Sequence, residues 1–391
     1  MAGGRIDVEV AADLGPFNEE FESGLESAGE AASSFAGKLA GVAAVAGVAI
    51  SFQSVVDTGV EFTRTLNEMS GVSQATGAQM DAVKNKAMEL GNDIELSGTS
   101  ANDAAAAMTE LSKGGLSVEQ SMDAAKGSLA LAAAAQIEAA EASEIQSQAL
   151  NTFGLEAKDA TLVADTLANV SNAASGEITD FAMGLSQSGL VAHSLGISLQ
   201  DTSTALGLFA NNGMAGSDAG TSLKTMLVSL ASPSKVQAGA LEDLGISAFD
   251  AAGNFVGLRT ITEQLADAQQ NMTQEQFASA AATAFGTDAV RAASAMASEG
   301  AGNWDTMAES VGRAGGALEL AGAQNQGLPG VFERAGNASE RFQLQLFDLI
   351  DGPLTSFGNT VVGIADGAMD QFAIALDNSG GVLVGMNEVI G

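Results

Sequence analysis

The chain of 391 residues has no cysteine and no tyrosine, one tryptophan, one histidine and only four prolines. Without cysteine there is neither a disulfide framework nor thiolate chemistry. With His193 as the sole imidazole, zinc-peptidase sites that need paired histidines are excluded, and a Ser-His-Asp triad would need this one base held by a carboxylate. His193 therefore reads as a packed or surface residue. Trp304 alone makes no platform for stacking sugars.

Positive charge is scarce as well. Lys and Arg number 15 against 48 Asp and Glu, giving a formal charge of -33, and the cations are scattered singly from Arg5 to Arg341. Tracking a phosphate backbone needs clustered cations, so direct nucleic-acid binding is disfavoured. The acidity reads as solubility and repulsion between neighbouring chains. A secretory leader is not visible either: "MAGGRIDVEVAADLGPF" puts Asp7 and Glu9 where an apolar stretch would be required. The Asn-x-Ser/Thr triplets at Asn169, Asn271 and Asn337 then carry no meaning as glycan sites.

The residues in abundance are alanine and glycine. Hydrophobic residues make up 46% of the chain but aromatics only 5%, which favours helices packed closely through small side chains; 47 glycines interrupt those helices often. The expected fold is mainly α: a multi-helix array of antiparallel helices with glycine corners, plus a short N-terminal strand and one small β-hairpin. "RIDVEV" alternates through Ile6, Val8 and Val10 as a half-exposed strand does. Pro16 then opens an acidic helix with Phe17, Phe21 and Leu25 on one stripe. The hairpin is expected over "ISAFDAAGNFVGL", 246–258, with Gly253 near its turn.

Four domains are expected: 1–35, the strand and acidic helix; 36–62, an apolar Ala/Gly/Val helix; 63–300, a helical core; and 301–391, a linker around Pro329 with amphipathic and apolar helices. The ending "VLVGMNEVIG" reads as cut from a longer chain. The most apolar stretch, Leu39 to Val56, is near the lower length for crossing a bilayer, yet Ser51, Gln53 and Ser54 interrupt it. A membrane-active segment and a helix buried against others both fit it.

Within the core, Ser100 with Asp103, Ser117 with Gln120, Ser198 with Asp201 and Thr273 with Gln276 have capping-box spacing, and predict four helix starts. Gly-containing stops lie between them, at 112–117, 152–156 and 211–217. Leu223, Met226, Leu227 and Leu230, and likewise Val163, Leu167 and Val170, recur at helical spacing and define faces to bury. Met108, Met183 and Met226 read as gap-filling core residues.

Two features invite a chemical reading. "GMAGSDAGTSLKTMLVSL", Gly213 to Leu230, sets glycines before a helix as a phosphate-binding loop does. Gly220, however, is followed by Thr221 and Ser222 instead of lysine, and Asp218 adds negative charge. It reads as a corner: Gly213 ends one helix, Gly216 turns the chain, and Ser217 or Thr221 caps the next. Glu138, Glu141 and Glu144 could in principle pair for glycosidic hydrolysis, but their three-residue recurrence on an Ala-rich helix reads as a solvated stripe. No catalytic, cofactor-binding or metal-binding residue is assigned, no cofactor is expected, and the protein is expected not to be an enzyme.

The order of "MSGVSQATGAQMDAVKNKAMELG", "TSANDAAAAMTELSKGGLSVEQSMDAAKGSLALAAAA", "NTFGLEAKDATLVADTLANV", "LGISLQDTSTALGLFANNGMAGSDAGTSLKTMLVSLASPS", "LGISAFDAAGNFVGL" and "FGTDAVRAASAM" resembles the core region of phage tail tape measure proteins. Gly213, Gly216, Ser217, Ala219, Gly220, Thr221 and Pro233 match that family's pattern, with Lys224 where the family often has Arg. The resemblance implies a virion structural protein of a long-tailed phage or prophage, made in the bacterial host cytoplasm and housed in the tail-tube lumen. It would scaffold tail-tube polymerisation, set tail length and be expelled before the DNA at infection. The implied partners are the tail-tube protein, tail assembly chaperones, tail tip and distal tail proteins and further copies of itself, with host-membrane contact through Leu39 to Val56. A helical ruler gains about 1.5 Å per residue only when extended. The core 63–300, folded back through short corners, is therefore expected to be a compact module and the ruler to lie downstream. The alternative is a membrane-active helical pore-forming or effector protein that inserts Leu39 to Val56.

Overall fold

The computed structural model describes residues 52–352, except Ser97 and Pro329, together with Thr355 and Asn359. The strand expected at Ile6 to Val10, the helix bearing Phe17, Phe21 and Leu25, most of Leu39 to Val56 and the C-terminal aliphatic run lie outside the described residues. Within them the chain runs α1 (Phe52–Ser73), α2 (Gly77–Leu90), α3 (Ala101–Lys113), α4 (Val118–Ala135), α5 (Ala139–Phe153), a 3-10 turn (Ala157–Asp159), α6 (Ala160–Ala173) and α7 (Ile178–Ser194). It continues through α8 (Leu199–Asn211), α9 (Gly216–Ala231), α10 (Lys235–Asp243), α11 (Leu258–Asn271), α12 (Gln274–Val311) and α13 (Gly316–Gln324), then a helical run over 330–352.

The helix starts arise from local hydrogen bonding. Ser100, Ser117 and Thr273 each accept the N–H three residues on, while Asp103, Gln120 and Gln276 reach back to the cap, satisfying two free donors at once. Ser198 makes only half of this arrangement: it accepts the Asp201 N–H, but its hydroxyl binds the Asp201 carboxylate at 2.9 Å in place of the return bond to the backbone. Thr76 with Gln79 and Ser234 with Gln237 form two further full boxes. The long α12 is broken at Gly286 (φ 77°, ψ 177°) and Gly300 (φ 66°, ψ 179°), a conformation essentially confined to glycine, so it consists of three helical pieces.

By chain contacts the protein divides into two units, Val60–Arg341 and a smaller one of Met1–Gly59 with Phe342–Gly391. In the larger unit α6 is the hub, packing against α4, α5, α7, α8, α12 and α13. Val163, Ala164, Leu167, Ala168 and Val170 on it are all fully buried. Sequence neighbours pack on each other, as α3 does on α4, α4 on α5 and α11 on α12, which is the antiparallel succession that short connections impose. Ala-rich faces such as Ala101, Ala104, Ala105 and Ala107 on α3 are buried, so backbones approach closely. In the smaller unit Val55, Leu346, Phe347 and Ile350 form their own apolar cluster, flanked by Val56 and Phe342. There the Thr58 hydroxyl donates to Gln343 Oε1 at 2.6 Å.

The hairpin expected at 246–258 is reduced to a minimal pairing without strands, held by the backbone bonds of Asp250 N–H to the Asn254 carbonyl at 2.9 Å and Val256 N–H to the Ala248 carbonyl at 3.0 Å. A single antiparallel bridge joins Phe249 and Phe255, whose rings meet edge to face at 5.9 Å. The Asp250 carboxylate accepts the N–H groups of Ala252 and Asn254 at 2.9 and 2.8 Å and closes the turn, and the pairing goes no further because Gly257 (φ 90°) already turns the chain into α11 at Leu258. The stretch read as a linker before Pro329 contains α13, which packs on α4 and α6. No helix among the described residues is long and apolar enough to cross a membrane.

Candidate functional site

The glycine-rich stretch 213–230 is a corner joined to a packing face. The preceding helix α8 ends at Asn211, and Gly213 (φ 77°) and Gly216 (φ 60°) occupy the left-handed region in which a side chain would be strained. The cap differs from the expectation. Neither Ser217 nor Thr221 caps α9; the cap position is Ala215, with no side-chain hydrogen bond, and both hydroxyl residues lie inside the helix. Gly216 brings the helix start forward, which leaves them past the point where a cap would sit.

Beyond the corner, α9 is interlocked with two other helices. Gly220 lies directly on α7: a β-carbon there would sit 2.8 Å from Gly184 Cα and from Gln187 Cβ, and against the Gly184 carbonyl. Asp218, in the first turn of α9, pairs with Arg291 of α12 at 2.8 Å, and Ser222 Oγ donates to the Asp288 carbonyl at 2.9 Å. The carboxylate that argued against a phosphate cradle thus has a cation already. Lys224 comes about two turns beyond the helix start, away from the corner. Leu223, Met226, Leu227 and Leu230 are all buried, so the stretch serves to seat one helix between two others.

The residues weighed for chemistry do not converge. His193 is an exposed residue near the end of α7, its ring edge-on to Phe153 with centroids 6.3 Å apart, and no carboxylate is hydrogen-bonded to it among the described residues. Glu138, at the N-cap of α5, and Glu141 and Glu144 within it are exposed; Glu144 Oε1 accepts from Gln148 Nε2, one turn on, at 2.9 Å. Trp304 is buried in the core, as are Met108 and Met226. Met183 corrects the sequence reading: it is 47% exposed, on the rim of a surface groove. Among the described residues no group of His, Asp or Glu is placed to hold a metal ion.

That groove has a volume of about 730 Å³ and runs between α5 and α7. Its floor is Phe153, Leu167 and Leu185, and its walls include Ile145 and Met183. The edge on α5 carries Glu141 and Glu144. Sequence reasoning saw these carboxylates and this methionine separately; helical spacing placed each on its helix but could not say that two helices leave a channel between them.

Comparison with known proteins agrees with this helical layout in extent. Residues 84–286, from α2 to the first break in α12, match the family model described as phage-related minor tail protein. Over 320 residues the chain is 30% identical to the tape measure protein of Pneumococcus phage Dp-1, an alignment covering 82% of this chain and 28% of that protein. Over 362 residues it is 26% identical to the probable tape measure protein of Escherichia phage P2, covering 91% of this chain and 44% of the relative. The chain thus spans less than half the length of either relative. No solved structure matches it. The chain belongs to the phage-related minor tail protein family, that of the phage tape measure proteins.

Proposed function

We propose that this chain is the folded assembly module of a phage tail tape measure protein, acting without catalysis inside the tail. In this reading copies of the protein in the tube lumen template polymerisation of the tail-tube subunit. Assembly chaperones hold it beforehand, the tail tip anchors it, and it leaves ahead of the DNA at infection. The observation that carries the proposal is the coincidence of the family match, residues 84–286, with helices that double back on one another around α6. A ruler must report its length along an axis, at about 1.5 Å per residue of continuous helix. Helices returning through corners such as 211–216 cancel most of that length, so this part of the chain serves contact instead of measurement, and length is set by other sequence of the same protein. The scattered, exposed or core positions of His193, Glu138, Glu141, Glu144 and Trp304 support a non-enzymatic role.

The test is tail length by electron microscopy in phage carrying in-frame deletions in the full-length gene. Removing α7 to α9 is expected to abolish or misassemble tails without producing a shorter, uniform class. A deletion of equal size in a continuous helical region elsewhere should shorten tails by about 1.5 Å per residue. Uniform tails shortened by that amount on removing α7 to α9 would overturn the assignment.

A further inference from the structure

We propose that the groove between α5 and α7 is a docking site for a cationic amphipathic helix of a partner protein, with Glu141 and Glu144 reading its positive charge. Such docking goes beyond the tail role and does not depend on it. Its first support is shape. The α5 wall extends from Glu141 to Thr152, about 16 Å at 1.5 Å per residue, which matches about three turns of a docked helix. Partly buried Ile145 and Ala182 offer apolar contact along that line above the buried floor, while Met183, flexible and half out in solvent, forms an adaptable wall.

The second support is charge. Between Lys126 and Lys224 the chain carries a single Lys or Arg, Lys158, and that one is paired with Glu156 at 2.6 Å. The helices α5, α6, α7 and α8 have none. Glu141 and Glu144 therefore have no cation in this part of the chain, and neither makes an ion pair among the described residues, whereas Glu110, Asp218 and Asp305 each do. An occupant with Lys or Arg flanking its apolar face would supply the missing charges. A second copy of this chain would not: it brings the same carboxylates and a formal charge of -33.

The experiment uses the whole chain. Because there is no cysteine, Met183→Cys gives a unique thiol for an environment-sensitive dye. The probes are two synthetic amphipathic helices with the same leucine face, one flanked by arginines and its twin by glutamates. The arginine peptide is expected to give a saturable signal at least about tenfold tighter than its twin, since each flanking charge turns from attraction to repulsion. Glu141→Lys combined with Glu144→Lys should invert that order. Calorimetry with the unlabelled chain controls for the dye, and circular dichroism checks that these surface variants keep their helices. Equal binding of both peptides, no saturable binding in either format, or an order unchanged by the charge reversal would overturn the proposal. So would a dye response to chain concentration alone, which would place a second copy in the groove.

Discussion

Asp165 and Asn169 stand one turn apart on α6 and grip opposite sides of one corner. The Asp165 carboxylate accepts the N–H groups of Gly315 and Ala317 at 2.7 and 3.0 Å, capping α13 from another helix. Asn169 Nδ2 donates to the carbonyls of Val311 and Arg313 at 3.2 and 2.6 Å, closing the end of α12. Free amides at a helix start and free carbonyls at a helix end are the groups a chain must satisfy when it turns from one helix into the next. Here two neighbouring side chains on the central helix do both.

Removing either grip should loosen that corner. Asp165→Ala strands the buried Ala317 N–H and frees that of the exposed Gly315, and is expected to cost about 1–3 kcal/mol in urea unfolding. Asn169→Ala should cost a similar amount, and the double variant less than the sum, because both hold one turn. Amide exchange should rise first in α13. A loss confined to residues near α6, with α13 unchanged, would contradict the account.

Glycine substitutions separate close approach from simple flexibility. Gly220→Ala pushes a methyl group into the backbone of α7 at Gly184 and is expected to destabilise by about 1–3 kcal/mol. Gly239→Ala, on exposed α10 with no atom within 4 Å of the added carbon, should stabilise by up to about 1 kcal/mol through helix propensity. Thermal melts of the two variants should move in opposite directions.

Leucines on α6 and α7 give a parallel contrast. Leu167 is fully buried and Leu190 is 71% exposed. Leu167→Ala should cost about 2–5 kcal/mol through lost burial and the cavity left behind. Leu190→Ala should stay within about 0.5 kcal/mol, as surface changes do. Chemical denaturation of both, at equal chain concentration, measures the difference.

These residues also show which parts of the fold the sequence discloses. Ser100, Ser117 and Thr273 announce helix starts because their partners lie three residues away, and Leu223, Met226 and Leu230 announce a buried face because its period is local. Asp165 meets Gly315 across 150 positions and Gly220 meets Gly184 across two helices, so neither relation leaves a periodic trace. The stretch 246–258 has strand-like apolar runs, yet its pairing stops at one bridge because α11 begins at Leu258. The corner at 213–216 was legible from its glycines; the groove beside Met183 was not, because its lining comes from two separate helices, α5 and α7.

Glu340 sets a pH dependence whose sign is fixed by its surroundings. It lies half-buried at the start of α3, in reach of the Asn102 N–H at 3.1 Å, while nearby Asn337 Nδ2 donates to the Thr99 carbonyl at 2.9 Å. Loss of hydration, aided by the nearby Asp103 charge, raises its pKa above the ordinary 4.5 despite the hydrogen bonds from Asn102, Ser100 and Ala101 that favour the carboxylate. A raised acid binds its proton more tightly folded than unfolded, so its contribution is fully present below pH 4.5 and is lost as pH rises through the folded-state value. Glu340→Gln keeps an acceptor for the Asn102 N–H without the charge. It should therefore be more stable than the parent near about pH 7, with the difference shrinking to nothing below the unfolded-state pKa. Urea midpoints across that range decide the matter. A parent that gains on the Gln variant as pH rises would mean that attraction between the carboxylate and the start of α3 outweighs the hydration it gives up there.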